Sequence, residues 1–158
     1  MTNPNPTISE FHLQDIDHAR LSDAEAQVSF SVELEHEHIT QRIMLGLLDE
    51  TGSCGAAISI YPATGEVCDL TNDGGVIGYL SNSPFAPRTA ISCEIDLYRF
   101  GQNWVCNVRI DGETFLYPGF MMDGEVNLTA VVGGGTNGAG IQWDENHLTV
   151  SGAAIVAA

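Results

Sequence analysis

The segment ISCEIDLYRFGQNWVCNVRI, residues 91–110, predicts a β-hairpin whose turn is closed by Gly101 and Gln102. With that turn, the pairs on one face are all apolar: Leu97 with Cys106, Ile95 with Val108 and Cys93 with Ile110, with Trp104 on the same side. The pairs on the other face are Tyr98 with Val105, Asp96 with Asn107 and Glu94 with Arg109. Because side chains alternate between the two faces of a strand, this division predicts one face against a core and one face in solvent.

Apolar residues recur with a period of two through much of the remaining chain. The segments with this alternation are residues 27–34, 55–61, 114–117, 126–132 and 148–156, whereas residues 42–48 are apolar on both faces, as a strand in the centre of a sheet would be. Turn signals built from Gly, Asn and Asp separate them, and helix signals are nearly absent. About nine or ten short strands at this spacing predict an all-β fold, with two antiparallel sheets packed as a sandwich.

The length of 158 residues fits a single domain. Residues 1–7 are polar and contain two prolines, so we expect a flexible N-terminal arm followed by one β-sandwich domain over residues 8–158. The sequence has no apolar run near the ~18 residues that a membrane helix needs. Its start lacks the basic and apolar regions of a secretory signal, which favours a cytoplasmic or virion-associated protein.

Charge narrows the choice of partners. The chain has 21 acidic residues and five basic ones, all of them arginine, for a net charge of −16. The absence of lysine excludes Schiff-base and P-loop lysine chemistry. A strongly negative surface repels nucleic acid and anionic membranes, so neither is expected as the primary ligand.

The four cysteines are Cys54, Cys68, Cys93 and Cys106. They form no C-x-x-C motif, which excludes a zinc ribbon or a thioredoxin motif. Buried reduced thiols are favoured over two disulfides because no secretory signal is seen. In the hairpin register above, Cys93 and Cys106 are not opposite each other, which argues against a bond between them.

Residues 65–133 resemble the second half of a concanavalin A-like jelly roll, the fold of laminin-G-type, SPRY and legume-lectin domains. The resemblance lies in the strand GEVCDL at residues 65–70, in the hairpin above with its Asp111-Gly turn, and in the segments FLYPGF (115–120) and VNLTAVVG (126–133). Residues 38–50 resemble a strand of the first half. The resemblance implies a jelly roll that recognises glycans or proteins, or that cleaves glycans.

Glu94 and Asp96 resemble the active strand of the retaining β-glucanases that share this fold, which carries the pattern Glu-x-Asp-x-Glu. Retaining hydrolysis needs two carboxyl groups about 5–5.5 Å apart. The position of the last Glu is Tyr98 here, or Arg99 if the strand bulges, so the second catalytic carboxylate is missing. We therefore assign no catalytic residue and keep Glu94 and Asp96 as weak candidates.

Sugar-binding sites commonly stack a sugar ring on an aromatic side chain, with amide and carboxylate groups around it. The best such cluster in the sequence is Trp143 with Asp144, Glu145 and Asn146, and Tyr98 is a further candidate on the outer face of the hairpin. Packing in the core accounts for Trp143 equally well.

Two groups of residues are candidate metal ligands. Asp73, Asp111 and Glu113 lie in or beside tight turns, where lectin-type sandwiches often hold calcium, although the sequence has no complete D-x-D-x-D-G loop. His36 and His38 alternate on one strand and could bind zinc or copper with a third group. No cofactor other than calcium is expected.

These observations favour a non-catalytic recognition module that binds a glycan or protein ligand through its loops or through the concave sheet. Two alternatives stay open. The first is a self-assembling structural or adhesion protein, such as a fibre or shell component, for which a homo-oligomer is the expected state. The second is a glycoside hydrolase related to the retaining β-glucanases.

Overall fold

The computed structural model describes nine stretches of the chain: residues 11–21, 26–37, 39–51, 55–71, 74–81, 86–100, 103–121, 126–135 and 148–157. The predicted arm, residues 1–7, lies outside them, so the predicted division into arm and domain stays a prediction. Within these stretches, no helix has the length and the apolar character of a membrane span.

The described residues form eleven β-strands. Their bounds are β1 (Phe11–Leu21), β2 (Gln27–His36), β3 (Ile43–Leu48), β4 (Gly55–Tyr61), β5 (Glu66–Asp69), β6 (Val76–Tyr79), β7 (Ala90–Phe100), β8 (Asn103–Ile110), β9 (Glu113–Met121), β10 (Val126–Gly135) and β11 (Leu148–Ala157).

The strands form two sheets, and every pair of neighbouring strands is antiparallel. Sheet A has six strands in the order β1-β10-β3-β4-β5-β6, and sheet B has five in the order β11-β2-β7-β8-β9. The predicted all-β sandwich is therefore confirmed.

The main core lies between the two sheets. Strands β2, β7 and β8 of sheet B turn alternate residues inward, as in β2, where Val28, Phe30, Val32 and Leu34 are all buried. Strand β3 is buried on both faces, as expected for a strand inside the sheet, and it lies third in sheet A. Its second face contributes to a smaller apolar cluster on the outer side of sheet A: Phe11, Met44, Leu48, Ala57, Leu70 and Val131.

The hairpin that opened the sequence analysis has the predicted register. Leu97 faces Cys106, Ile95 faces Val108, Cys93 faces Ile110, and Glu94 faces Arg109. Trp104 points inward and is fully buried. The predicted register is therefore confirmed from Cys93–Ile110 to Phe100–Asn103. A slip of one residue would move every apolar side chain to the solvent face.

Two strands and part of a third differ from the sequence-based expectation. β1 and β6 are not among the predicted strands. The third strand, β10, is longer than the alternating segment at residues 126–132 and continues to Gly135. The reason is close packing: a Cβ atom on Gly133 would lie 1.9 Å from the carbonyl oxygen of His12 on β1. Glycine is needed there for the two strands to approach each other.

Cys68, Cys93 and Cys106 are free and buried, while Cys54 lies outside the described residues. Burial raises the pKa of Cys68 from its ordinary value of 9.0 to about 11, with further contributions from the hydrogen bond to Glu66 and from its charge. Burial also raises the pKa of Cys93 and Cys106. All three groups are therefore held as thiols rather than thiolates.

We expect iodoacetamide at pH 8 to leave Cys68, Cys93 and Cys106 unmodified in the native protein over a time in which the urea-unfolded protein reacts completely. A rise of two pH units in the pKa of Cys68 lowers its thiolate fraction about a hundredfold, and burial excludes the reagent. Peptide mapping by mass spectrometry reads out each site. Modification of native Cys93 or Cys106 at the unfolded rate would contradict the burial described here.

The same pKa shifts determine how the free energy of unfolding changes with pH. The folded state holds these three protons more tightly than the unfolded state does, so the shifts stabilise the fold fully below pH 9. That stabilisation is lost as the pH rises from 9 toward 11. The free energy of unfolding from urea titrations at pH 8, 9 and 10 should fall accordingly.

Candidate functional site

A row of polar and aromatic side chains crosses the outer face of sheet A. In the register of the sheet, Tyr61 lies opposite Glu66, and Glu66 lies opposite Tyr79. Arg42 directly precedes β3, whose first residue, Ile43, pairs with Ile60, so Arg42 comes next to Tyr61. Arg42, Tyr61, Glu66 and Tyr79 therefore form one row from β3 to β6, which we call the A-face row.

A β-bulge in β6 turns Tyr79 outward. The pairing of β5 with β6 shifts between Val67 and Cys68, so Ile77 and Gly78 both turn toward the core while Tyr79 faces solvent. A Cβ atom on Gly78 would lie 2.3 Å from the ring of Phe115, so only glycine fits there. Bulges commonly redirect a side chain beside a functional site.

The charged members of the A-face row hold each other in place. Arg42 Nη1 lies 2.9 Å from Glu66 Oε1, and the side chains keep 32% and 23% of their exposure. The guanidinium of Arg42 also lies over the ring of Tyr61, 5.0 Å from its centroid. Planar contacts of this kind fix the orientation of an arginine side chain before a ligand arrives.

The floor beside the row is closed to solvent. Met44, Ser59 and Cys68 lie one row further along the same face and are all buried. The Cys68 thiol donates a hydrogen bond to Glu66 Oε1 at 3.2 Å. Glu66 is therefore held from two sides, by Arg42 and by Cys68. Tyr79 is 61% exposed and forms the open end of the row.

The ligand-binding residues predicted from the sequence are not part of this row. Tyr98 lies on the outer face of sheet B, where it is half-buried opposite Val105, on the face that the hairpin register predicted for it. Trp143, Asp144, Glu145 and Asn146 lie outside the described residues. Their role in binding stays a prediction.

Glu94 and Asp96 also lie on the outer face of sheet B. Arg109 donates from Nη2 to Glu94 Oε1 at 2.5 Å and to Asp96 Oδ2 at 3.4 Å, and Ser29 donates to Asp96 Oδ1 at 2.5 Å. The hydrogen bond to Glu94 and the charges of both carboxylates raise the pKa of Arg109. The two acidic groups thus hold one arginine, and the next residue on that face is Tyr98.

The described residues contain no group of three or more His, Cys, Asp or Glu side chains close enough to hold a metal ion. His36 is buried, and its predicted companion His38 lies outside the described residues, as does Asp73. Asp111 lies in the turn between β8 and β9, and Glu113 accepts a hydrogen bond from the backbone of Ser81 at 3.0 Å. Calcium binding at the turns stays a prediction.

Sequence reasoning missed the A-face row because its members come from separate strands. Arg42, Tyr61, Glu66 and Tyr79 share no local motif, and only the order of strands in sheet A brings them together. One feature of the sequence could have pointed to Arg42: it is one of only five basic residues, all arginines, in a chain without lysine.

A two-sheet antiparallel sandwich with this chain path is a jelly roll of the concanavalin A-like kind, and a solved structure of congerin II shares the fold. No family model and no curated protein matches the sequence.

One similar solved structure is a single mutant of congerin II, with 14% sequence identity and a TM-score of 0.50, covering 89% of this chain and 100% of that one. A toad ovary galectin in complex with thio-digalactose is 8% identical, with a TM-score of 0.43, and covers 85% of this chain and 98% of that one. A carbohydrate binding module from Bacillus subtilis is 9% identical, with a TM-score of 0.40, covering 82% and 96%. At 14% identity, the likeness to congerin II shows the fold alone.

Proposed function

We propose that the protein is a non-catalytic module that binds neutral glycans on the outer face of sheet A. The observation that carries the proposal is the A-face row, in which an exposed tyrosine stands beside a pre-oriented Arg–Glu pair. These are the groups that a sugar requires: a ring for the apolar face of the pyranose, and charged donors and acceptors for its hydroxyl groups.

Each member of the row has a defined role in this proposal. The Tyr79 ring, at the exposed end, stacks on the sugar. The Glu66 carboxylate accepts hydrogen bonds from sugar hydroxyls, and the Arg42 guanidinium donates to a hydroxyl or ring oxygen. Because the Arg42–Glu66 pair already exists in the free protein, little side-chain entropy is lost when the sugar binds.

Local charge favours neutral glycans over sulfated or sialylated ones. Glu66 neutralises Arg42, so the row offers no uncompensated positive charge. The net charge of −16 repels anionic ligands at longer range. A neutral sugar meets neither penalty.

On a glycan array, the protein should bind neutral oligosaccharides and should not bind their sulfated or sialylated forms. Replacing Glu66 with Gln should weaken binding about tenfold or more, because hydrogen bonds to a charged group contribute about 1.5–3 kcal/mol. The matched control is Glu35→Gln, the same change on the outer face of sheet B. Binding to anionic glycans alone, or to none, would refute the proposal, as would equal losses in the two variants.

Self-association is the second candidate function, and edge strands favour it. β1 and β11 lie at edges of the two sheets and contact each other, and they carry the exposed apolar residues Leu13 and Val156. An edge strand offers unpaired backbone groups to another chain. Size-exclusion chromatography across a tenfold range of concentration distinguishes an assembly from a monomeric binding module.

A further inference from the structure

A recess lies on the outer face of sheet B, on the opposite side of the sandwich from the A-face row. Its volume is about 380 Å³, which is within the usual range of about 300–1,000 Å³ for small-molecule pockets. It is separate from the A-face row because the whole core lies between the two outer faces. We call it the B-face trough.

The floor of the B-face trough alternates carboxylates and hydroxyls. Ser31 lies opposite Glu94 in the pairing of β2 with β7, and Glu33 lies opposite Ser92. Each carboxylate is therefore diagonal to the other, with a serine hydroxyl beside it. Arg109 closes one side and is held there by Glu94.

Glycines leave the two ends of the trough open. Gly112 lies in the turn after β8, and Gly152 lies in a β-bulge of β11 between Ser151 and Ala154. Both have positive φ angles, 85° and 62°, and a Cβ atom on either would meet no atom within 4 Å. A ligand can therefore approach the backbone at both ends.

We propose that the B-face trough is a second binding site for a neutral, hydroxyl-rich ligand the size of a monosaccharide or disaccharide. Carboxylates and serine hydroxyls accept hydrogen bonds from ligand hydroxyls, and Arg109 and the serines donate to ligand oxygens. An anion would meet Glu33 and Glu94. A cation would lie against the Arg109 guanidinium. A polyhydroxylated neutral molecule uses both the donors and the acceptors.

This inference does not depend on the A-face row. If both sites bind sugars, one chain presents two sites on opposite faces and links two glycans without forming an oligomer. The trough has no aromatic residue among those that line it, so its affinity should be weaker than that of a site with a stacking ring.

The test is an amide chemical-shift titration of the full-length ¹⁵N-labelled protein with galactose, glucose, mannose and lactose. The concentration of each sugar is raised in about equal steps to about 100 mM. The amides of Gly112 and Gly152 report on the trough. The proposal requires that at least one sugar shifts both amides with a saturable curve. It also requires that the shift persists in Tyr79→Ala, which removes the ring of the A-face row, so that failure of one site is distinguishable from failure of the other.

Two variants test the trough itself. Ser31→Tyr fills the floor with a side chain that suits a strand, and should raise the dissociation constant at Gly112 and Gly152 at least tenfold, whereas Ser31→Thr keeps the hydroxyl and the binding. Glu33→Gln keeps the shape of the floor but removes a charged acceptor, so it should weaken the binding of a neutral sugar about tenfold or more.

Putrescine, titrated in parallel, serves as the cationic probe. The proposal is overturned if no sugar shifts the amides of Gly112 and Gly152, or if the shifts caused by sugar vanish in Tyr79→Ala. It is also overturned if putrescine, but no sugar, shifts these two amides and Glu33→Gln abolishes the shift caused by putrescine. The last outcome would assign the trough to an organic cation.

Discussion

Replacing Trp104 with Ala should lower the free energy of unfolding by about 3–5 kcal/mol, the cost of truncating a large aromatic side chain in a core. Trp104 is fully buried between the sheets, where it heads the group of largest buried side chains. The Arg99 guanidinium lies 4.6 Å from the ring centroid, so the substitution also removes the surface on which that arginine stacks. In a chain of this size, the loss corresponds to a fall in melting temperature of about 6–20 °C.

Val105→Ala is the matched control, because Val105 adjoins Trp104 on β8 but points to solvent and is 39% exposed. We expect it to cost less than about 1 kcal/mol. Urea unfolding followed by circular dichroism measures both variants. If Val105→Ala destabilises as much as Trp104→Ala, the inward and outward faces of the hairpin have been assigned the wrong way round.

Replacing Tyr79 with Ala should weaken glycan binding about tenfold or more while leaving the fold intact. Stacking contributes through the apolar area that the ring covers and through an aromatic contribution of about 0.5–1.5 kcal/mol. The ring of Tyr79 is largely exposed in the free protein, so its removal costs the core little. Titration calorimetry with a glycan selected on the array measures the change in affinity.

Tyr98→Ala is the matched control on the other sheet, and it also tests the residue that the sequence singled out. The affinity of Tyr98→Ala for the same glycan should equal that of the unmodified protein when both are measured well below their melting temperatures. Loss of binding in Tyr98→Ala together with normal binding in Tyr79→Ala would contradict the assignment of the site.

The sequence predicted the parts of the fold that depend on local alternation. The hairpin of β7 and β8 has a short turn and clean alternation, so its register followed from the residues alone, including the inward position of Trp104. The segment that forms β3 is apolar on both faces, and this pattern predicted a strand in the centre of a sheet. In these segments the side chains that decide the structure are close neighbours in the chain or across one turn.

The strands at the edge of sheet A gave weaker signals. β1 is exposed along most of its length, and its register shifts between Asp15 and Asp17, so its pattern is not a regular alternation. β6 has four residues, and its bulge turns Ile77 and Gly78 to the same side. Because an edge strand buries less of its surface, sequence periodicity constrains it less.

The candidate site was harder to predict than the fold, for a topological reason. Tyr79 reaches the outer face only because a bulge redirects it, and its neighbour Glu66 belongs to another strand. Their proximity follows from the strand order of sheet A, to which no single motif points. By contrast, Glu94 and Asp96 form a recognisable local motif, yet their carboxylates hold Arg109.

The most direct test of the proposed function is an amide chemical-shift map of the ¹⁵N-labelled protein, recorded with a neutral glycan from the array at a concentration near its dissociation constant. The proposal predicts that the largest shifts fall on Tyr61, Glu66, Cys68 and Tyr79. A map in which these four amides do not move, while the glycan binds elsewhere on the chain, would contradict it.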